Sequence, residues 1–275
     1  MEIKTVSMPE PETTGTGPLF IIGGHEDKEG DRDILKAIAR ELGGGKLVLC
    51  TVASHEPDGY LEMYRQAFAD LDVGEIVELY VDERTESSHS RVAEKCHDAA
   101  GIFFTGGDQL RISSHIGCTP VEGEVRRAFE RGAVIAGTSA GASVMSETML
   151  VNGAGGSSFR IGDLHMAPGL GLLRDVLIDQ HFAERGRHGR LLGAVAHNPR
   201  LLGLGIDENT AAVVRGNALQ VLGQGAVTVI DGSGISHTNI AEGQASDTLS
   251  AFGVNVHVLA EGNGFDLNSR QPRVE

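Results

Sequence analysis

Tryptophan is absent from these 275 residues, and aromatic side chains make up only 4% of them. Val, Ile, Leu and Ala must therefore fill any core, and a hydrophobic share of 40% is enough for one. Cysteine is scarce as well. Cys50, Cys96 and Cys118 are odd in number and form no close-spaced pair, which argues against a disulfide framework or a cysteine metal site. Cys50, inside an apolar run, reads as a core thiol. No stretch approaches the roughly 18 apolar residues of a membrane span, and the opening MEIKTVSMPEPETTGTG lacks the apolar segment of a secretion signal. Positive charge is outweighed, with 23 Lys and Arg against 38 Asp and Glu and a net charge of −15. Such a surface repels a phosphate backbone, so neither nucleic acid nor a membrane is an expected partner. The expectation is a cytoplasmic protein with a loose tail over 1–17 and one domain over 18–275.

What the chain does have is alternation. PLFIIGG (Pro18–Gly24), KLVLCTVAS (Lys46–Ser54), EIVELYV (Glu75–Val81), GIFFTGG (Gly101–Gly107) and AVIAG (Ala133–Gly137) read as strands. Between them, Asp31–Leu42, Tyr60–Leu71, Arg91–Ala99 and Val121–Arg131 read as helices; Ile34, Leu35, Ile38 and Leu42 form one stripe. Strands this apolar, separated by helices, predict a parallel sheet covered on both faces, hence an α/β three-layer sandwich. GLGID, AAVVRG, ALQVLG and AVTVID read as strands and hairpins closing that sheet.

Gly137-Thr138-Ser139-Ala140-Gly141 fits G-x-S-x-G at a predicted strand-to-helix turn, with ASVMSETML helix-competent behind it. A sharp turn there lifts the Ser139 hydroxyl above the sheet, and the following helix aims its positive end at a developing oxyanion. The hydroxyl needs a base. His181, after the apolar run VLIDQ, is the leading candidate, with His165, His188 and His197 also downstream. The base needs an orienting carboxylate. Glu208 closes GLGIDE, and its neighbour Asp207 points the other way if the strand continues. The order Ser, His, Glu differs from the Ser, acid, His of α/β-hydrolases, which weakens an esterase reading.

FTGGDQ (Phe104–Gln109) ends a strand in a glycine turn, so an amide of Gly106 or Gly107 is placed to complete an oxyanion hole with the Ala140 amide. Arg185, Arg187 and Arg190 crowd one segment after His181, either as surface ion pairs or as a site for an anionic ligand. The glycine-rich NGAGGSS (Asn152–Ser158) reads as a flap or as a plain loop. His25-Glu26-Asp27 reads as a turn rather than a metal cluster, and Gly23-Gly24 lacks the full dinucleotide fingerprint. Neither cofactor nor metal is expected.

Taken in order, FFTGGDQLRI, GTSAGASVMS, MAPGLGLL, IDQHFAERGRHGRLL and GLGIDENTA resemble the cyanophycinases, in the serine peptidase family that includes aspartyl dipeptidase. The resemblance runs from about Gly23 to Gln224 and implies a fold like the class I glutamine amidotransferases, flavodoxin-like in its sheet. It implies hydrolysis of cyanophycin, a poly-aspartate bearing β-linked arginine, to β-Asp-Arg dipeptides. It implies Ser139 as nucleophile, His181 as base and Glu208 as acid, with Asp163 a lesser candidate for the acid. It further implies substrate contacts from Gln109, Asp179, Gln180, Arg185, Arg187 and Arg190, with Asp179 receiving the arginine end, and a homodimer. Two other readings stand beside it: an aspartyl or isoaspartyl dipeptidase, and a binding protein on a degenerate hydrolase scaffold.

Overall fold

The computed structural model describes residues 15–55, 57–152, 159–161 and 164–273. Most of the expected tail over 1–17, the stretch 153–158 and Asp163 lie outside these residues. Strands and helices alternate from the start: β1 (Leu19–Ile22), α1 (Asp33–Leu42), β2 (Leu47–Cys50), α2 (Asp58–Phe68), β3 (Ile76–Leu79), α3 (Ser90–Ala93), β4 (Gly101–Phe104), α4 (Gln109–Ile116), α5 (Pro120–Glu130) and β5 (Val134–Thr138). There follow α6 (Ala140–Ser143), β6 (Thr148–Asn152), β7 (His165–Pro168), β8 (Val176–Gln180), α7 (His188–His197), β9 (Leu202–Ile206), β10 (Thr210–Arg215), β11 (Ala218–Gly223) and β12 (Val227–Asp231). The chain ends in short strands: β13 (His237–Thr238), β14 (Ala251–Phe252), β15 (Asn255–Leu259), β16 (Gly264–Asp266) and β17 (Gln271–Arg273).

The central sheet has nine strands in the order β17-β16-β11-β10-β1-β5-β4-β2-β3. The half from β1 to β3 is parallel, and β10, β11, β16 and β17 extend it antiparallel. Successive side chains of a strand point to opposite faces. Phe20 and Ile22 thus meet Leu35 and Ile38 of α1 and Tyr64 and Phe68 of α2. Leu19 and Ile21 face the other way, into a core shared with Ile112, Val121 and Val125 of α4 and α5. Each such buried Ile, Leu or Phe contributes roughly 1.5–3 kcal/mol. Helices on both faces of the parallel half of this sheet make the three-layer α/β architecture expected from the alternation.

Two expectations need correction. The later strands do not all close one sheet: AAVVRG and ALQVLG pair with the central sheet, whereas GLGID and AVTVID enter a second sheet, β15-β12-β9-β8. Its β9 and β12 send Leu202, Leu204, Ile206, Val227 and Val229 into the same core as Leu19 and Ile21. Nor does ASVMSETML form a long helix. The helix stops at Ser143 because tertiary hydrogen bonds capture the next carbonyls: Leu170 N–H donates to Val144 O at 2.7 Å and Leu172 N–H to Met145 O at 2.9 Å. Gly169 allows that approach, since a Cβ there would sit 2.1 Å from Ser146 O.

No helix among the described residues is long and apolar enough to cross a membrane.

Candidate active site

Every residue of the site follows the carboxyl end of a strand, where open α/β sheets present their ligands. Gly24 and His25 follow β1, Gly106 and Gly107 follow β4, and Ser139 follows β5. His181 follows β8 and Glu208 follows β9. Ser139 has φ 54° and ψ −110°, a strained conformation for a residue with a Cβ. The flanking glycines make the turn possible. A Cβ on Gly137 would stand 2.3 Å from Gly141 O, and one on Gly141 would stand 2.2 Å from Phe104 O.

Ser139 Oγ is 2.9 Å from His181 Nε2, and His181 Nδ1 is 2.6 Å from Glu208 Oε1. His181 is 3% exposed. Burial lowers its pKa below the ordinary imidazole value; the Glu208 hydrogen bond raises it part of the way back, and the nearby Arg185 charge lowers it again. The net effect is a neutral imidazole near neutral pH, ready to accept a proton.

The other three downstream candidates sit in different settings. His188 packs on Phe182 with ring centroids 4.5 Å apart, His197 Nδ1 lies 2.9 Å from Gly193 O, and His165 is exposed on β7. Asp207 turns away from the imidazole and accepts from the Ala183 and Ala226 amides, each at 3.0 Å.

The Gly23-Gly24 turn is the hub of this arrangement. His181 N–H donates to Gly23 O at 2.8 Å, and Asn209 N–H donates to Gly24 O at 2.8 Å, so both arms of the dyad hang from one turn. Gly24 has φ 108°, and a Cβ there would lie 2.3 Å from the His181 ring. The following triplet spreads in three directions. His25 leans over the imidazole, Glu26 turns inward to Thr138, and Asp27 accepts the amides of Glu29, Gly30 and Arg32 to close the loop before α1. Gly24, His25 and Glu26 were not singled out in sequence as parts of a site. The glycine pair at a strand end was the available signal, but its partners lie more than a hundred residues away.

A Cβ on Gly106 would stand 3.6 Å from Ser139 Cβ, so this turn borders Ser139. Gly107 needs to be glycine, with φ 139° and Ala53 O only 2.3 Å from an added Cβ. Among the described residues, the amides of Gly106, Gly107 and Ala140 donate to no intramolecular acceptor outside regular helix and strand bonds.

Arg187 and Arg190 point inward. The fully buried Asp179 takes Arg190 Nε at 2.6 Å and the Arg190 terminal nitrogen as a two-pronged pair, with Arg187 at 3.2 Å. Gln180 accepts Arg187 at 2.5 Å and donates to Ser143 Oγ at 3.2 Å, tying the cluster to α6. Burial lowers the Arg187 pKa to about 10, with Asp179 holding it up, so the guanidinium stays charged. Gln109 donates to Leu150 O at 3.0 Å and Val151 O at 3.3 Å. Arg185 differs from the other two arginines. It is exposed and forms no ion pair among the described residues, yet its charge reaches His181.

Comparison with known proteins places residues 19–222 within the model of peptidase family S51. The chain is 37% identical over 259 residues to a cyanophycinase of Synechococcus elongatus, covering 93% of this chain and 80% of the relative. It is 38% identical over 274 residues to the cyanophycinase of Trichormus variabilis, covering 98% and 92%. Among solved structures, a peptidase from an acI-B1 Actinobacterium superposes with a TM-score of 0.66 at 23% identity, covering 91% of this chain and 97% of that one. At that identity the likeness concerns the fold.

Proposed function

Because this chain belongs to peptidase family S51, we infer that it is a serine exopeptidase that hydrolyses cyanophycin to β-Asp-Arg dipeptides. The observation that carries the reading is the continuous relay from Ser139 Oγ through His181 to Glu208, at 2.9 and 2.6 Å. It also weighs against a binding protein on a degenerate scaffold, since such a protein has no need of the strained serine.

In this reading His181 Nε2 takes the Ser139 proton as Oγ attacks a backbone aspartyl carbonyl carbon. Glu208 stabilises the imidazolium through Nδ1–H. The amides of Ala140 and of Gly106 or Gly107 hold the oxyanion. With only four residues in α6, these individual N–H groups supply the stabilisation rather than a long helix dipole. The carbon–nitrogen bond then breaks, His181 returns the proton to the leaving amine, and water hydrolyses the Ser139 ester by the same base. Arg185, beside His181 and without an ion pair among the described residues, is the guanidinium best placed to take a substrate carboxylate. Asp179, Arg187, Arg190 and Gln180 act beneath the site by holding the His181 segment against α6, and Gln109 holds β6 to α4. The expected role of Asp179 in receiving the arginine end is set aside in this reading, because its carboxylate is enclosed and already satisfied.

Cytoplasmic residence and a homodimer belong to the same proposal. The free thiols of Cys50, Cys96 and Cys118 agree with a reducing compartment, and solution mass tests the dimer. The substrate test is incubation with insoluble cyanophycin, followed by mass analysis of the soluble fraction, with Ser139→Ala as control. Release of β-Asp-Arg by the wild type alone supports substrate, bond and nucleophile together. Intact polymer alongside cleavage of small aspartyl peptides moves the substrate to dipeptides.

A further inference from the structure

His25 stands beside the triad without a part in the proton relay. Its backbone is left-handed at φ 49°, and its side chain is 72% exposed. The ring meets that of His181 edge-on, with centroids 5.2 Å apart. Its Nδ1 lies 3.4 Å from Glu208 Oε2, the carboxylate oxygen that the His181 hydrogen bond leaves free. One ligand atom from each of His25, His181 and Glu208 lies within 4.8 Å of the other two.

Two imidazoles and a carboxylate are a donor set that suits zinc and disfavours hard cations such as magnesium. The spacing fits at one of the three pairs, and the His181 ligand atom, within 4.8 Å of the other two, closes in on the bound ion. Bonds of about 2.0–2.1 Å put two ligands of one tetrahedral zinc roughly 3.3 Å apart, and His25 Nδ1 and Glu208 Oε2 already stand at 3.4 Å. Exposure of His25 leaves an entry path and room for water in the remaining coordination position. The charges around the cluster are mixed. Arg185 opposes a cation, while Glu184, whose Oε1 accepts the Glu208 amide at 3.3 Å, favours one.

We propose that His25, Glu208 and His181 form a binding site for zinc or a closely similar divalent transition-metal ion, and that the bound ion switches the hydrolase off. The inhibition follows from what the third ligand gives up. If His181 binds through Nε2, it surrenders the lone pair that accepts the Ser139 proton. If it binds through Nδ1, it loses the hydrogen bond to Glu208 and the tautomer that relay requires. A metal held at either nitrogen is incompatible with turnover. The switch rests on the serine-hydrolase reading, whereas the site does not.

The two are therefore tested separately, on untagged protein. Calorimetry with zinc chloride on Ser139→Ala, which retains all three ligands, is expected to show binding at this site. Adding His25→Asn is expected to weaken that binding by about tenfold or more. Asparagine tolerates the left-handed backbone of this position, so the change removes the imidazole with little strain. Inhibition is read as the rate at which a fluorophosphonate probe labels Ser139, which needs no peptide substrate. Zinc should slow labelling of the wild type reversibly, a chelator should restore it, His25→Asn should need correspondingly more zinc, and magnesium should have no effect. Equal zinc affinity with and without His25 overturns the site. Weakened binding without any zinc effect on labelling overturns the switch. Failure to cleave cyanophycin leaves both results standing.

Discussion

The carboxylate of Glu26, a residue 3% exposed, accepts the Thr138 hydroxyl at 2.5 Å, one residue ahead of Ser139. The same carboxylate takes the Tyr64 hydroxyl from α2 and meets Lys28 Nζ at 2.9 Å. Burial first, and the Glu26 charge second, push the Tyr64 phenol well above its ordinary value, so it remains a donor at working pH. A buried carboxylate thus pins the residue before Ser139 to the helical layer. Glu26→Ala orphans two buried hydroxyls and is expected to lower unfolding free energy by about 2–5 kcal/mol. Thr138→Val, which removes one bond, is expected to cost about 1 kcal/mol. Urea melts of both variants check this; an unchanged midpoint for Glu26→Ala contradicts the anchor.

In the proposed mechanism His181 sets the pH dependence. Its pKa lies below the ordinary imidazole value, chiefly through burial, and a general base works in its deprotonated form. kcat/KM should therefore rise with pH along an acid limb centred below 6.5. Glu208 raises this pKa, whereas the charges of Arg185 and His25 lower it. Arg185→Ala removes a lowering charge and should move the limb to higher pH. Glu208→Gln removes the raising hydrogen bond and should move it lower, with kcat reduced by about 10³–10⁴. pH–rate profiles of the three proteins decide the matter, and a limb that moves the same way in both variants contradicts the assignment.

The two kinds of arginine should separate in their effects. Asp179 is fully buried and matched by Arg190, so Asp179→Asn leaves a buried cation short of its partner and is expected to cost about 3–5 kcal/mol of stability. Arg185 is exposed and without an ion pair among the described residues, so Arg185→Ala should leave stability within about 0.5 kcal/mol while raising KM for the polymer. Thermal melts beside steady-state kinetics test the contrast. A stable Asp179→Asn protein with only a raised KM would return that carboxylate to direct substrate contact.

Much of the site was legible because its signals are local. A buried β-run, two glycines around a serine and helix-competent residues describe the Ser139 turn within ten positions. The close approaches at Gly137 and Gly141 give those glycines their physical reason. The length of the helix behind it was not legible, because the carbonyls that end it are captured by Leu170 and Leu172 from another part of the chain. GLGID and AAVVRG are neighbours of similar composition, yet the chain changes sheets between them, and periodicity carries no such information. The inward turn of Arg190 was hidden for a related reason. An arginine in an acidic chain looks like a surface group until the buried Asp179 opposite it is placed.

Gly24 offers the most direct test of how the imidazole is held. Its φ of 108° is disfavoured for any residue with a Cβ, and an added Cβ would stand 2.3 Å from His181 Cε1 and 2.7 Å from Nε2. The backbone beneath cannot retreat easily, because Gly23 O and Gly24 O accept the amides of His181 and Asn209. Gly24→Ala should therefore move the ring rather than the strand, lengthening the 2.9 Å contact with Ser139 Oγ. A displacement near 1 Å is expected to lower kcat by about 10²-fold, with KM little changed, since neither Arg185 nor the polymer surface is touched. Fluorophosphonate labelling of Ser139 should slow in proportion, because it depends on the same proton transfer. If Gly24→Ala keeps wild-type kcat, the glycine serves only the β1 turn, and the His181 ring is held in place without it.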